Sequence, residues 1–142
     1  MIRKFETRDL DAVTQIWLHG NLDAHPFIPA SFWTYHFETV RDMLPQAELY
    51  VHENEATRQI DGFIGLTENH IEGIFVAKSA RSKGIGRALL EYAKSRKPRL
   101  TLSVYQKNER ALAFYRREQF IVQSEGIDED TNEADIQMLW TR

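Results

Sequence analysis

Apolar positions along this chain change period several times, and each change marks an element. A short run Ile2–Phe5 alternates like a strand; Leu10, Val13, Ile16 and Trp17 then recur at helical spacing, predicting a helix over Asp9–His19 that Gly20 closes. The loop Asn21–Pro29 leads to a second helix, Ser31–Leu44, which Pro45 ends. Three strand-like runs follow at Glu48–Glu53, Gly62–Thr67 and His70–Val76, joined by the polar turns Asn54–Gln59 and Glu68–Asn69, as in an antiparallel meander. In the helix Gly84–Lys97 the residues Ile85, Ala88, Leu89, Tyr92 and Ala93 share a face, and Pro98 stops it. A strand Leu100–Val104, a helix Asn108–Glu118, and strands Phe120–Glu125 and Ala134–Trp140 around the acidic turn Asp128–Asp130 complete the order.

A helix between the strands ending at Val76 and Val104 calls for a right-handed crossover between parallel neighbours. Antiparallel before and parallel there predicts a mixed sheet, hence an α+β fold. Gly73 inside the fourth strand marks a bulge or a close backbone approach.

The chemistry concentrates in Arg81-Ser82-Lys83-Gly84-Ile85-Gly86-Arg87, a basic turn between that strand and a helix. The first amides of a helix lack carbonyl partners and sit at the positive end of its dipole, so main chain alone can hold an anion. Gly84 and Gly86 let the backbone approach the anion, and Arg81, Lys83 and Arg87 add charge. Two glycines alone would read as an ordinary exposed turn; the ordered combination points to phosphate. A Walker loop is excluded because no Gly-x-x-x-x-Gly-Lys-Ser/Thr run exists, and Leu89 stands where a dinucleotide fingerprint needs Gly or Ala.

What fits is Arg-x-x-Gly-x-Gly, and with it the chain resembles the GCN5-related N-acetyltransferase (GNAT) superfamily, whose corresponding motif follows the fourth strand. A second stretch is similar to another motif of that family: Leu102-Ser103-Val104-Tyr105-Gln106-Lys107, then Asn108-x-x-Ala111-x-x-Phe114-Tyr115. One departure is Gln119, where the family often has a glycine as a left-handed helix cap. Ala24-His25-Pro26-Phe27-Ile28 and Val104–Asn108 carry a finer likeness to small bacterial acetyltransferases of the YiaC and YjaB kind.

The resemblance implies that acetyl-CoA is the cosubstrate and an amine the acceptor, in a ternary complex. It places the pyrophosphate on the amides of Arg81 to Arg87, including Ser82 and Ile85, and the pantetheine arm in a slot beside Ile74 and Val76 of a splayed fourth strand. An amide at or near Val76 would meet the oxyanion, and Asn108 would contact coenzyme A. Asn108 also reads simply as a helix N-cap. Tyr115 would protonate the departing thiolate, which suits a phenol with pKa near ~10. A lysine-type amine with pKa near ~10.4 must first lose a proton, and His70 or Glu72 would accept it. Both also read as a strand-end residue and a solvated charge. His25 and Phe27 lie in the loop that shapes the acceptor pocket in that family, and a structural turn is the competing reading.

At 142 residues, 42% hydrophobic and 27% charged, the chain reads as one globular domain. A net charge of −3 argues against nucleic acid, and the absence of cysteine excludes a Cys-linked acyl enzyme. No run is long enough for a membrane span and residues 1–6 lack a signal-peptide core, so the expected location is cytoplasmic. The scattered histidines predict no metal site. Exposed Trp33 or Trp140 would suit a homodimer. The competing function is a regulatory module that binds coenzyme A without turnover.

Overall fold

A computed structural model describes residues 1–142. The elements are β1 (Ile2–Lys4), α1 (Leu10–Ala24), α2 (Ala30–Met43), β2 (Glu48–Glu53), β3 (Ile60–Thr67), β4 (His70–Val76), α3 (Ile85–Arg96), β5 (Arg99–Tyr105), α4 (Glu109–Arg117), β6 (Ile121–Asp128) and β7 (Glu133–Thr141). The strands form one seven-stranded sheet in the order β1-β2-β3-β4-β5-β7-β6. Every pairing is antiparallel except β4 with β5, as the crossover through α3 requires, and the α+β expectation holds.

Strand alternation sends side chains to two cores. Ile64, Leu66, Ile71, Leu100, Leu102 and Met138 pack with Leu89 and Leu90 of α3. Leu49, Val51 and Phe63 pack on the other face with Val13 and Ile16 of α1.

Where the structure departs from the pattern, packing is the reason. The first helix does not stop at Gly20; it runs to Ala24. Gly20 is needed for closeness, since a Cβ there would lie 2.7 Å from Cδ1 of Phe75 on β4. The bulge falls one residue before Gly73. Register passes from Gly65↔Gly73 to Leu66↔Ile71, which leaves Glu72 as the extra residue. That insertion resets the alternation, so that Ile71, Ile74 and Val76 all face the core under α3 while Phe75 and Ala77 face the core under α1. Gly73 itself lies beneath the Phe75 ring, where a Cβ would come within 2.4 Å of Cε2.

Neither tryptophan is an exposed apolar surface of the kind expected. Trp33 is 7% exposed, wedged against Trp17, and Trp140 is half-buried beneath the Lys94 ammonium. The exposed large apolar residues are Ile121, Val122 and Ile127 on the edge strand β6, with Met1, Tyr35 and Met43 elsewhere. No helix is long and apolar enough to cross a membrane.

Candidate active site

β4 and β5 pair at only two positions, His70↔Thr101 and Ile71↔Leu102. Beyond Ile71 the strands separate for the remaining length of β4, roughly 15 Å at ~3.3 Å per residue. The amide directions follow from the β3 pairing. Ala77 donates to the Asp61 carbonyl at 2.8 Å, so the alternate residues Ile74 and Val76 turn their N–H and C=O groups toward the withdrawn β5. The result is a slot with unpaired main-chain donors along one wall.

At the open end of the slot β4 runs into the turn before α3. Ser82 at φ 66° and Gly84 at φ 80° are both left-handed, which curls the turn into a concave nest. A glycine at 84 meets that conformation without strain, and no other atom lies within 4 Å of where its Cβ would be. Ala88 is the first residue of α3 to close a helical bond, to the Gly84 carbonyl at 3.0 Å, and no side chain caps the helix. The amides of Ile85, Gly86 and Arg87 are therefore open to an anion. A Cβ at Gly86 would stand 3.8 Å from both Val76 and Phe114, which marks where β4, α3 and α4 converge.

The three cations of the turn behave differently. Lys83 is exposed and makes no ion pair. Arg87 lies 3.3 Å from Glu118 while remaining largely in solvent. Arg81 points inward, its Nε donating to the Val76 carbonyl at 3.3 Å and its Nη2 to Asp23 at 3.3 Å.

On α4, Asn108 caps the helix by accepting the Ala111 amide at 3.2 Å, and its Nδ2 lies 3.5 Å from Nε2 of His25. Tyr115 packs edge-on against Phe114 and Phe120 on the same core as Ile74 and Val76. Its hydroxyl makes no hydrogen bond within the protein, and burial holds the phenol well above its ordinary pKa, hence protonated at neutral pH.

His25 ends α1 in an aromatic wall. Its ring stacks on Trp33 at 5.3 Å and meets Phe27 and Tyr105 edge-on at 5.7 and 5.1 Å. Burial pushes its pKa down to about 4, so the ring is neutral. Phe27 carries the Lys107 ammonium 5.5 Å above its ring. Asp23 precedes His25 in the last turn of α1, and Tyr105, which the motif alone gave no role, bonds Asp128 of the acidic turn through its hydroxyl.

His70 and Glu72 stand apart from this assembly, toward the closed end of the slot. His70 bonds through Nδ1 to Thr101 Oγ1 at 2.8 Å and lines a polar cavity of about 380 Å³ with Asn69, Arg99 and Gln123. Glu72 occupies the bulge, exposed and without a partner, and the pair no longer shares a strand face in the regular way.

Residues 45–122 match the description of an acetyltransferase (GNAT) domain. The peptidyl-lysine N-acetyltransferase YiaC of Escherichia coli (strain K12) is 34% identical over 142 residues, 99% of this chain and 96% of that protein. The solution structure of apo-form YjaB from Escherichia coli superposes with a TM-score of 0.87 at 30% identity, covering 98% of this chain and 95% of that one. PaiA N-acetyltransferase from Thermoplasma acidophilum, solved with coenzyme A, shares the fold with a TM-score of 0.80 at 18% identity over 100% of this chain and 98% of its own.

Proposed function

The chain belongs to the GNAT acetyltransferase family, and on that premise we propose that its acceptor is the side-chain amine of lysine in other proteins. Transfer of acetyl from acetyl-CoA to an amine is its activity. The lysine acceptor is supported by the names of its relatives. The observation that carries the site assignment is the two-rung pairing of β4 with β5, which frees the Ile74 and Val76 amides beside a phosphate-suited turn.

Bound acetyl-CoA supplies an activated thioester. The open turn from Ser82 to Arg87 fits its pyrophosphate, with Lys83 adding charge and Asn108 bordering the slot from α4. The Ile74 and Val76 N–H groups run along the arm, and one of them donates to the carbonyl oxygen as negative charge develops there during amine attack. Tyr115, held protonated by burial, gives its proton to the departing sulfur. The proton the amine sheds leaves to solvent at the slot's open end, because His70, engaged by Thr101, and Glu72 in the bulge stand at its closed end, beyond hydrogen-bond reach of an amine beside Val76. His25 and Phe27 wall the acceptor entrance.

Thiol release from acetyl-CoA, followed across lysine peptides, N-terminal peptides and small amines, tests this reading. Lysine peptides should be turned over fastest, and Tyr115→Phe should retain acetyl-CoA binding while losing on the order of 10²-fold in turnover. Tight coenzyme A binding without release from any acceptor would favour a regulatory module.

A further inference from the structure

Arg81 is the cation of the phosphate turn whose guanidinium is held by two partners within the protein. Its main-chain N–H is directed to the Lys78 carbonyl at 3.4 Å, its Nε to Val76 O at 3.3 Å, and its Nη2 to Asp23 Oδ2 at 3.3 Å. Its amide and two of its guanidinium nitrogens are thus already directed to acceptors outside the nest formed by Ser82 and Gly84. The open amides of the anion site belong to residues after Arg81, whose own donors are engaged elsewhere.

Its partner explains why. Asp23 lies in the last turn of α1, the stretch that continues past Gly20. Three contacts radiate from that turn: Gly20 sits on Phe75 of β4, Asp23 takes Arg81, and His25 approaches Asn108 of α4. All three reach elements on the donor side of the slot. The same turn feeds directly into the loop carrying His25 and Phe27 on the acceptor side.

We infer that Arg81 and Asp23 are a positioning pair, which fastens the acceptor loop to the open end of β4 and sets the Val76 peptide, rather than ligands of the pyrophosphate. The guanidinium joins a strand carbonyl with no strand partner to a helix end, and so fixes the distance between the thioester site and the acceptor wall. A misplacement of that wall by about 1 Å is enough to cost roughly 10²-fold in rate. The inference rests on the acetyl-transfer reading above.

The test compares Arg81→Gln, Asp23→Asn and the double variant with wild type in the full chain. Acetyl-CoA affinity is measured by calorimetry, and kcat and KM with a lysine peptide. Gln can still donate to the Val76 carbonyl but cannot pair with Asp23. Both pair members are partly exposed, at 28% and 42% of their side chains, so the variants should fold, with thermal midpoints little moved. Acetyl-CoA dissociation constants should stay within about twofold, kcat/KM for the peptide should fall about tenfold in each single variant, and the double variant should be no worse than either, as one shared contact requires. If Arg81→Gln weakens acetyl-CoA binding tenfold or more while Asp23→Asn does not, Arg81 is a phosphate ligand and the inference falls. It falls equally if peptide kcat/KM is unchanged in both. A wild-type protein that binds acetyl-CoA but acetylates nothing would instead overturn the proposed activity, and the affinity comparison would still decide the role of Arg81.

Discussion

Gln119 holds a side chain at φ 75°, a conformation glycine adopts freely. The turn is a Schellman closure of α4: Phe120 donates to the Tyr115 carbonyl at 3.0 Å and Gln119 to that of Arg116 at 3.1 Å. The missing glycine therefore changes the energy of the cap and not its geometry. Gln119→Gly should stabilise the protein by about 1 kcal/mol, the cost of a left-handed non-glycine residue, visible as a higher urea midpoint at unchanged slope. His25 gives a pH signature. The unfolded chain takes up its proton near 6.5 but the folded one only near 4, so the unfolded state binds more protons between these values. Stability present above pH 6.5 is lost as pH falls toward 4. The carboxylates held low by their partners, Asp9, Glu48 and Glu53, respond only at the acid end of that range. Unfolding measured from pH 7 to 5 should thus show a downward slope that His25→Gln flattens.

Helices and strands were legible wherever local periodicity decided them. β2 and β4 have the bounds their alternation predicts, and α3 and α4 are shifted only by a residue at each end. The failures lie where a residue serves a distant partner. Gly20 reads locally as a helix stop, yet Phe75, far along the chain, determines its role. Propensity alone says that Gly20→Ala, inside a helix, stabilises by about 1 kcal/mol. The contact at 2.7 Å reverses the sign. The expected outcome is a loss of about 1–3 kcal/mol, read by thermal unfolding, because the Phe75 ring is confined between Gly20, Gly73 and the stacked Phe63. Gly73 announced an irregularity in β4, but a single sequence does not say which neighbour is inserted; Glu72 is selected by the need to point Ile71, Ile74 and Val76 the same way. Within the site, the phosphate turn and Asn108 were readable because their amides act locally. The pairing of Arg81 with Asp23 was not, being a contact 58 residues apart in sequence.

Across the whole molecule the sheet has very unequal seams. β5 and β7 pair along seven residues, while β4 and β5 share two rungs. β1 to β4 with α1 and α2 form one leaf of the sheet and β5 to β7 the other, hydrogen-bonded along a short seam while the core beneath α3 runs continuously across it. An extended ligand carrying amides of its own, as the pantetheine arm does, can supply the rungs the chain omits. Acetyl-CoA at a hundredfold excess over its dissociation constant should add about 2.7 kcal/mol to stability. The slowed hydrogen exchange should be concentrated at Ile74, Val76 and the facing end of β5, and a uniform slowing over both leaves would contradict it. The cosubstrate is then also the missing stretch of the sheet: the chain leaves main-chain groups at the seam without strand partners until acetyl-CoA lies along them, and each release of product bares them again.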